Sequence, residues 1–437
     1  MFNIDKNIIT ERYQNLFSAL GSIFIGICIP LVASSPSAMG VSAFLGFICI
    51  LLLPGRKILF FSILSGFSKP LGLVVIFLFL AWLPAVFDSV DIVKSLGVWL
   101  RILGFIIVAT TFYFFLLSSN LRRRLVLNSL LIVSLVSSFV GLISIHIYSP
   151  ILSIYRLDSV DYINATQTLK YYGSVEGCMS IIVLWAGFKL SGIWRALAIL
   201  KVSLGIILIF SVDSDAGLLA LISGIVCGIL VIFESKIFSK RISGLSISLI
   251  FILAIILYSI LLANLPSTPN LADHQGQLFT GEFSSSISPN ILDTHRQHIW
   301  AFSLDQALKS PLIGYGIDVS NYLPGAQVIV AQFNQAFIPG HPHSWFLEVF
   351  LETGALGLFA LVTSLFVLLW CWHKVGQSKV YDVSAGISIF AAFWSSSMIN
   401  FSIWSSWWQG MFLIITAIVL AFSSNGKQNQ HRTWQEK

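Results

Sequence analysis

The chain has 437 residues, of which 56% are hydrophobic and only 10% charged, with 35 Phe and 13 Trp. A water-soluble fold of this size cannot hide that much apolar surface, so the composition excludes one and makes lipid the solvent for most of the chain. The net charge of +6 is carried by basic residues flanking apolar runs and gives no case for nucleic-acid binding.

Apolar runs of membrane-spanning length recur from one end to the other. Spans are predicted at 16–34, 38–53, 70–87, 96–117, 125–147, 176–190, 196–211, 217–233, 245–263, 345–370, 383–401 and 408–422. The predicted fold class is an all-α polytopic membrane protein with about twelve transmembrane helices. The first span has no small-residue cleavage site and is expected to stay as an anchor. Basic residues set the orientation. With the amino terminus in the cytosol, only Lys94, Arg101, Arg156, Lys170, Arg296 and Lys309 of the 25 Lys and Arg fall outside cytosolic segments and helix edges. Lys201, Lys240 and Arg241 count among the cytosolic set, and both termini are then cytosolic. "NLRRRL" at 120–125 reads as a cytosolic stop touching anionic headgroups. The five cysteines lie in or beside spans, which suggests neither a disulfide framework nor a thiolate metal site.

The expected division is 1–263 for spans one to nine, 264–344 for a large external loop, 345–422 for spans ten to twelve, and 423–437 for a cytosolic tail. A medium external loop is expected at 148–175. The large loop opens with the composition of a disordered stretch, "STPNLADHQGQLFTGEFSSSISPN". It then places Ile299, Phe302, Leu304 and Leu308 at roughly helical spacing before Ser310-Pro311, which predicts a short amphipathic helix over the membrane.

The polar chemistry collects here. His295, His298, His341 and His343 lie in the second half of the loop, and histidine changes charge near neutral pH, which suits proton transfer. For His295 and His298 the alternative is tolerance in a solvated loop. For the pair it is also a metal site, but no Cys or Asp pair converges, so neither metal nor cofactor is expected. Arg296 offers a forked, permanent cation to a phosphate or diphosphate, unless it only pairs with Asp293. Arg101 falls about a turn inside the fourth span, where a charge faces the bundle or snorkels outward. Asp213 and Asp215 make an acidic turn that could simply cap the eighth span. Glu348 and Glu352 are four apart on one helix face. With His341 or His343 they would line a polar track from outside, a proton acceptor beside cations able to hold an anionic lipid headgroup.

Four segments in order, "RQHIW" at 296–300, "PLIGYG" at 311–316, "HPHSWFLE" at 341–348 and "ETGALG" at 352–357, resemble the O-antigen ligase and polymerase superfamily over roughly residues 291–360. The resemblance implies a GT-C-like, inverting, metal-independent glycosyltransferase of the bacterial inner membrane, with its loop and active site periplasmic. It implies a glycan on undecaprenyl diphosphate as donor. It also implies His341 as the base, with His343 as runner-up. Arg296 would hold the diphosphate, aided by Arg101 and Arg156, while Glu348, Glu352, Trp300 and Asp215 support. Many relatives carry Ser-Arg before the eighth span, where this chain has Ser214-Asp215-Ala216, an acid that would repel diphosphate. Arg101 and Arg156 are the candidates to replace that cation. Within the superfamily a ligase acting on lipid A–core oligosaccharide is favoured over a polymerase joining lipid-linked repeats. Protein glycosylation and a non-catalytic transporter are the lesser alternatives.

Overall fold

The computed structural model describes residues 6–157, 164–237, 245–269, 271–274, 276–375 and 379–424. Lys240, Arg241 and the tail beyond residue 424 lie outside the described residues, as do positions 158–163 of the medium loop. The helices are α1 (Lys6–Ile27), α2 (Pro36–Leu51), α3 (Arg56–Phe67), α4 (Pro70–Phe87), α5 (Ile92–Leu117), α6 (Asn120–His146), α7 (Pro150–Arg156), α8 (Ala165–Leu190), α9 (Ile193–Ser211), α10 (Asp215–Ile237), α11 (Leu245–Ala263), α12 (Thr294–Lys309), α13 (Trp345–Val375), α14 (Val380–Ser396) and α15 (Ser406–Ser423).

Each of the twelve expected spans falls on one of these helices. Among the described residues, eight helices (α4–α6, α8–α10, α13 and α15) are long and apolar enough to cross a bilayer, and α2 with α3 form a broken pair bent by 115°. The chain is a multi-pass membrane protein. α14, at 17 residues, is shorter than a straight span needs.

Several expectations shift in detail. The basic bracket Arg56, Lys57 and Lys69 makes residues 54–69 read as a connection, yet α3 forms there after Gly55 turns the chain at φ 108°. The medium loop at 148–175 is largely helical. α7 fills its start, and α8 begins at Ala165, capped by the Asn164 side chain, which accepts from the Gln167 amide at 3.3 Å. As a result Glu176 lies three turns inside α8 rather than at its edge. Lys201 is no cytosolic edge residue either. It is fully buried in α9 and ion-paired with Glu176, which also accepts from Ser138 Oγ at 2.6 Å. Each charge is tolerable in the bundle only because the other is there.

Residues 264–344 return most of their polar composition to structure. Phe279 and Phe283 pack with Phe333 and Phe337, so the Ser-rich segment is pinned at its aromatic residues. Three two-residue strands, β1 (Leu278–Phe279), β2 (Ile329–Val330) and β3 (Gln335–Ala336), pair in that order, β1 parallel and β3 antiparallel to β2. The amphipathic helix forms as α12. Its buried Ile299, Trp300 and Phe302 share a core with Leu347 and Leu351 of α13.

That core meets the bundle at a glycine crossing. α13 breaks at Gly354 (φ 64°), and the 311–316 turn lies against the break. Ala355 and Leu356 amides donate to the Pro311 and Leu312 carbonyls at 2.8 and 3.2 Å, while Tyr315 and Gly316 amides donate to Leu351 and Glu352 carbonyls at 3.2 and 2.9 Å. A Cβ on Gly354 would sit 2.2 Å from Leu312 backbone, and one on Gly314 (φ 70°) 2.5 Å from that of Glu352. Both left-handed backbone and backbone approach demand glycine. Gly354→Ala or Gly314→Ala should therefore destabilise the purified protein by about 3 kcal/mol, read as a lower thermal midpoint in detergent. Gly40→Ala, whose Cβ meets nothing within 4 Å, should leave it unchanged or raised.

Candidate active site

The segment 341–345 is fastened from three directions. The Trp300 indole of α12 donates to the Pro342 carbonyl at 3.0 Å. Tyr258 of α11 shares a 2.7 Å hydroxyl bond with Ser344 and packs edge-on against Trp300. The connection between α14 and α15 supplies two carbonyls: Ser397 accepts from the Trp345 amide at 3.0 Å, and Asn400 accepts from His343 Nδ1 at 3.0 Å. Held this way, the imidazoles of His341 and His343 stand 4.1 Å apart, edge to face, both half-buried.

Two consequences follow for His343. A carbonyl only accepts, so Nδ1 carries the hydrogen and the lone pair lies on Nε2. Its backbone is also left-handed, at φ 56°, a costly conformation for a side-chain-bearing residue that persists only where surroundings enforce it. Burial and the nearby Arg296 cation lower its pKa to about 4 despite the Asn400 bond. Burial and the neighbouring His343 lower that of His341 to about 3, and its Nδ1 has no partner among the described residues. Burial therefore favours the neutral form of both rings.

Arg296 lies in the first turn of α12. Its Nε pairs with Asp293 at 3.3 Å, with the arginine side chain 35% exposed, and Asp293 also caps the helix by accepting from the Arg296 amide at 2.9 Å. Arg296 thus has the carboxylate partner of the plainer reading, and its guanidinium is the foremost charge acting on His343. His295 and His298 bind loop carbonyls instead, Phe337 and Ser284 respectively, each at 2.9 Å. Burial is the first cause lowering both pKa values. They brace the loop rather than standing free in solvent.

Glu348 and Glu352 share a face of α13, as their spacing requires, but they do not open onto a polar track. Both are fully buried. Glu348 accepts from Ser402 Oγ at 2.5 Å and the Ile403 amide at 2.9 Å. Glu352 accepts from the amides of Asp318, Val319 and Ser320 at 2.5–3.1 Å and from the Trp404 indole at 2.5 Å. Their oxygens are committed to two loops. Asp318 beyond them has a raised pKa because it is buried, with Lys94 and Arg101 opposing the rise.

Arg101 does face inward, donating to the Trp404 carbonyl at 2.6 Å, and its Nε has no partner among the described residues. Arg156 reaches Tyr171 at 3.4 Å. Tyr171 packs on Trp407, itself against Phe401 next to Asn400. Arg156 is therefore joined to the histidines only through a relay of rings. Asp215 is exposed at the first residue of α10, and the cap is Ser214, whose Oγ accepts from the Gly217 amide at 3.2 Å. Among the described residues no three His, Cys, Asp or Glu converge as a ligand set. Residues 397–404, Tyr258, Lys94 and Asp318 are missed by the sequence reading. Their only signal is Ser and Asn in an apolar stretch, "SMINFSIW", which a span prediction absorbs.

The PLIGYG turn locked on the broken α13, with the histidine segment just before it, lies within residues 200–362, and these match the O-antigen ligase family model. Over these residues the chain is similar to the O-antigen ligase family. The same chain aligns with proteins provisionally named polysaccharide ligases. The one from Rickettsia prowazekii is 28% identical over 127 residues, that from Rickettsia typhi 27% over 127, and that from Rickettsia conorii 25% over 126. Each alignment covers 28% of this chain, and the shares of the relatives are 31%, 31% and 30%. The matched residues contain α12, both histidines and the Gly354 break. Glu352 there organises backbone rather than chemistry. Glu352→Gln should lower stability by about 2–4 kcal/mol, since an amide offers one acceptor where four donors converge. A thermal melt against wild type measures it.

Proposed function

We propose that the protein is a membrane glycosyltransferase that moves a glycan from undecaprenyl diphosphate to lipid A–core oligosaccharide at the periplasmic face of the inner membrane. The family match and the provisional names of the relatives support the polysaccharide ligase or polymerase class. The observation that carries the mechanism is the orientation of His343, with Nδ1–H fixed on the Asn400 carbonyl and Nε2 left as an acceptor. That geometry favours His343 over His341 as the base.

In this reading Nε2 of His343 takes the proton of the acceptor hydroxyl, whose oxygen attacks the anomeric carbon on the face opposite the diphosphate. The new glycosidic bond forms as the bond to the diphosphate breaks, and the electron pair leaves on phosphate oxygen with inversion at carbon. Arg296, and Arg101 further along the external surface, stabilise that growing charge. The imidazolium forms on the acceptor's face, across the reacting carbon from the leaving anion, whose charge offsets part of the burial that lowers its basicity in the free protein. His341 packs on the catalytic ring and keeps it in place. Such arginines take over charge that a divalent ion neutralises in other sugar transferases.

Purified protein with a lipid-diphosphate glycan and lipid A–core, in EDTA, should form product only when lipid A–core is present. His343→Ala should lose about 10²–10⁴-fold and Arg296→Ala about 10²-fold. Longer glycans still on the carrier would identify a polymerase, and full activity in His343→Ala with loss in His341→Ala would exchange the two roles. Because the base must be neutral and its pKa lies near 4, kcat/KM should hold as pH falls from 8 to 5. An acidic limb near 6.5 would remove His343 as the free enzyme's base.

A further inference from the structure

Arg156 has no part in the transfer step as derived, and its surroundings differ from those of the other cations at the histidine end of the bundle. Lys94, Arg296 and Lys309 are each paired with an aspartate, at 3.6, 3.3 and 2.7 Å. Among the described residues Arg156 has no such carboxylate; it donates to the Tyr171 hydroxyl at 3.4 Å, and its Nε has no partner. From there a strip of rings leads back to the base. Tyr171 packs edge-on against Trp407 at 5.8 Å, and Trp407 against Phe401 at 4.8 Å. Phe401 follows Asn400, whose carbonyl holds His343 Nδ1. All three rings are half-buried, so each keeps an open flank. Tyrosine and tryptophan at a membrane boundary commonly mark the headgroup level. The Tyr171 hydroxyl is instead turned into the protein, donating to the Val32 carbonyl at 3.2 Å, which fixes the ring as a wall.

The strip lies on the far side of α15 from Arg101. Gln409, Leu413 and Thr416 of α15 share one cavity wall with Ile102 and Ile106 of α5, the helix that carries Arg101. Trp407 precedes Gln409 by two positions and Thr416 by nine, which puts it roughly 180–200° around the helix from them. It therefore projects away from α5, and there it meets Tyr171 of α8. The segment before α15 takes Arg101 on its Trp404 carbonyl on one side and carries the strip to Arg156 on the other. His343 is tied to the same segment at Asn400. An inverting displacement needs such a division, because the nucleophile must enter opposite the leaving group. A glycan approaching over the strip would reach the base from the side away from Arg101.

We propose that Phe401, Trp407, Tyr171 and Arg156 form the acceptor subsite, the rings packing against sugar faces and Arg156 holding a phosphate group of the same acceptor. The inference rests on the proposed transfer reaction. Sugar rings present faces of polarised C–H bonds, which suit the negative face of an aromatic ring. A permanent, forked guanidinium suits a phosphate in the same way. Arg156 is thereby assigned to the acceptor rather than to the donor diphosphate, and the two substrates meet at the histidines from opposite sides of α15.

The test titrates full-length protein in nanodiscs with lipid A–core in the absence of donor, and then measures KM for each substrate in the transfer assay. Trp407→Ala and Arg156→Ala should each weaken acceptor binding and raise the acceptor KM about tenfold or more, with the donor KM changed by less than about twofold. Trp407→Ala also removes packing between α8 and α15, so Trp407→Phe, which keeps a ring there, is read beside it and should retain most of the affinity. With lipid A–core stripped of its phosphate groups, wild type and Arg156→Ala should bind alike. An equal rise in donor KM, or acceptor affinity unchanged in both alanine variants, would overturn the proposal. So would an Arg156→Ala loss that persists with the stripped acceptor, since Arg156 would then serve a membrane headgroup. Wild-type protein that binds lipid A–core through these residues yet transfers no glycan would remove the enzymatic reading and leave the glycan site standing.

Discussion

Two carboxylates with no access to water govern the architecture around the histidines. Glu348 and Glu352 sit on one face of the first half of α13, and a buried carboxylate survives only with hydrogen-bond donors around it. The chain supplies them from two places far apart in sequence, the turn at 318–320 and the connection at 402–404. Those bonds fix where both loops can lie. The second loop carries Asn400 and Ser397, which orient His343 and anchor Trp345, and Trp404, which receives Arg101. Charge satisfaction in the core thus sets the position of groups at the surface.

The glycine crossing works with this network. A continuous α13 would satisfy its own backbone and leave the 311–316 turn unattached. Breaking it at Gly354 exposes amides and carbonyls that the turn takes up, and the same break brings the Glu352 carboxylate to the amides of residues 318–320. The left-handed conformation of His343 is the visible strain in the segment between these fixtures. A ring presented at a defined angle is what proton transfer needs, because geometry limits the step before basicity does.

Much of this organisation is legible in the amino-acid order. Span positions follow from apolar runs, α12 from the spacing of Ile299, Phe302, Leu304 and Leu308, and the shared face of Glu348 and Glu352 from their separation by four. The rest was hidden by ambiguity of particular residues. Glu348 and Glu352 look like a polar track because a sequence does not reveal which loops return to cover them. Lys201 looks like a cytosolic edge because its partner, Glu176, is 25 positions away and was placed at the opposite face. Asn400 and Ser397 disappear into an apolar run, since short polar residues hardly interrupt it. The Ser-rich opening of the large loop resembles an unstructured segment because four phenylalanines spread over more than fifty residues do the packing.

The Glu176–Lys201 pair bears on how the chain enters its membrane. Either charge alone in hydrocarbon is costly, and the partners sit on α8 and α9, joined only by Ser191 and Gly192. Each helix is long and apolar enough to cross, yet each carries one buried charge that only the other neutralises. The cost of each charge in hydrocarbon therefore falls when the two helices are side by side, and the ion pair couples them beyond what the hydropathy of either segment supplies.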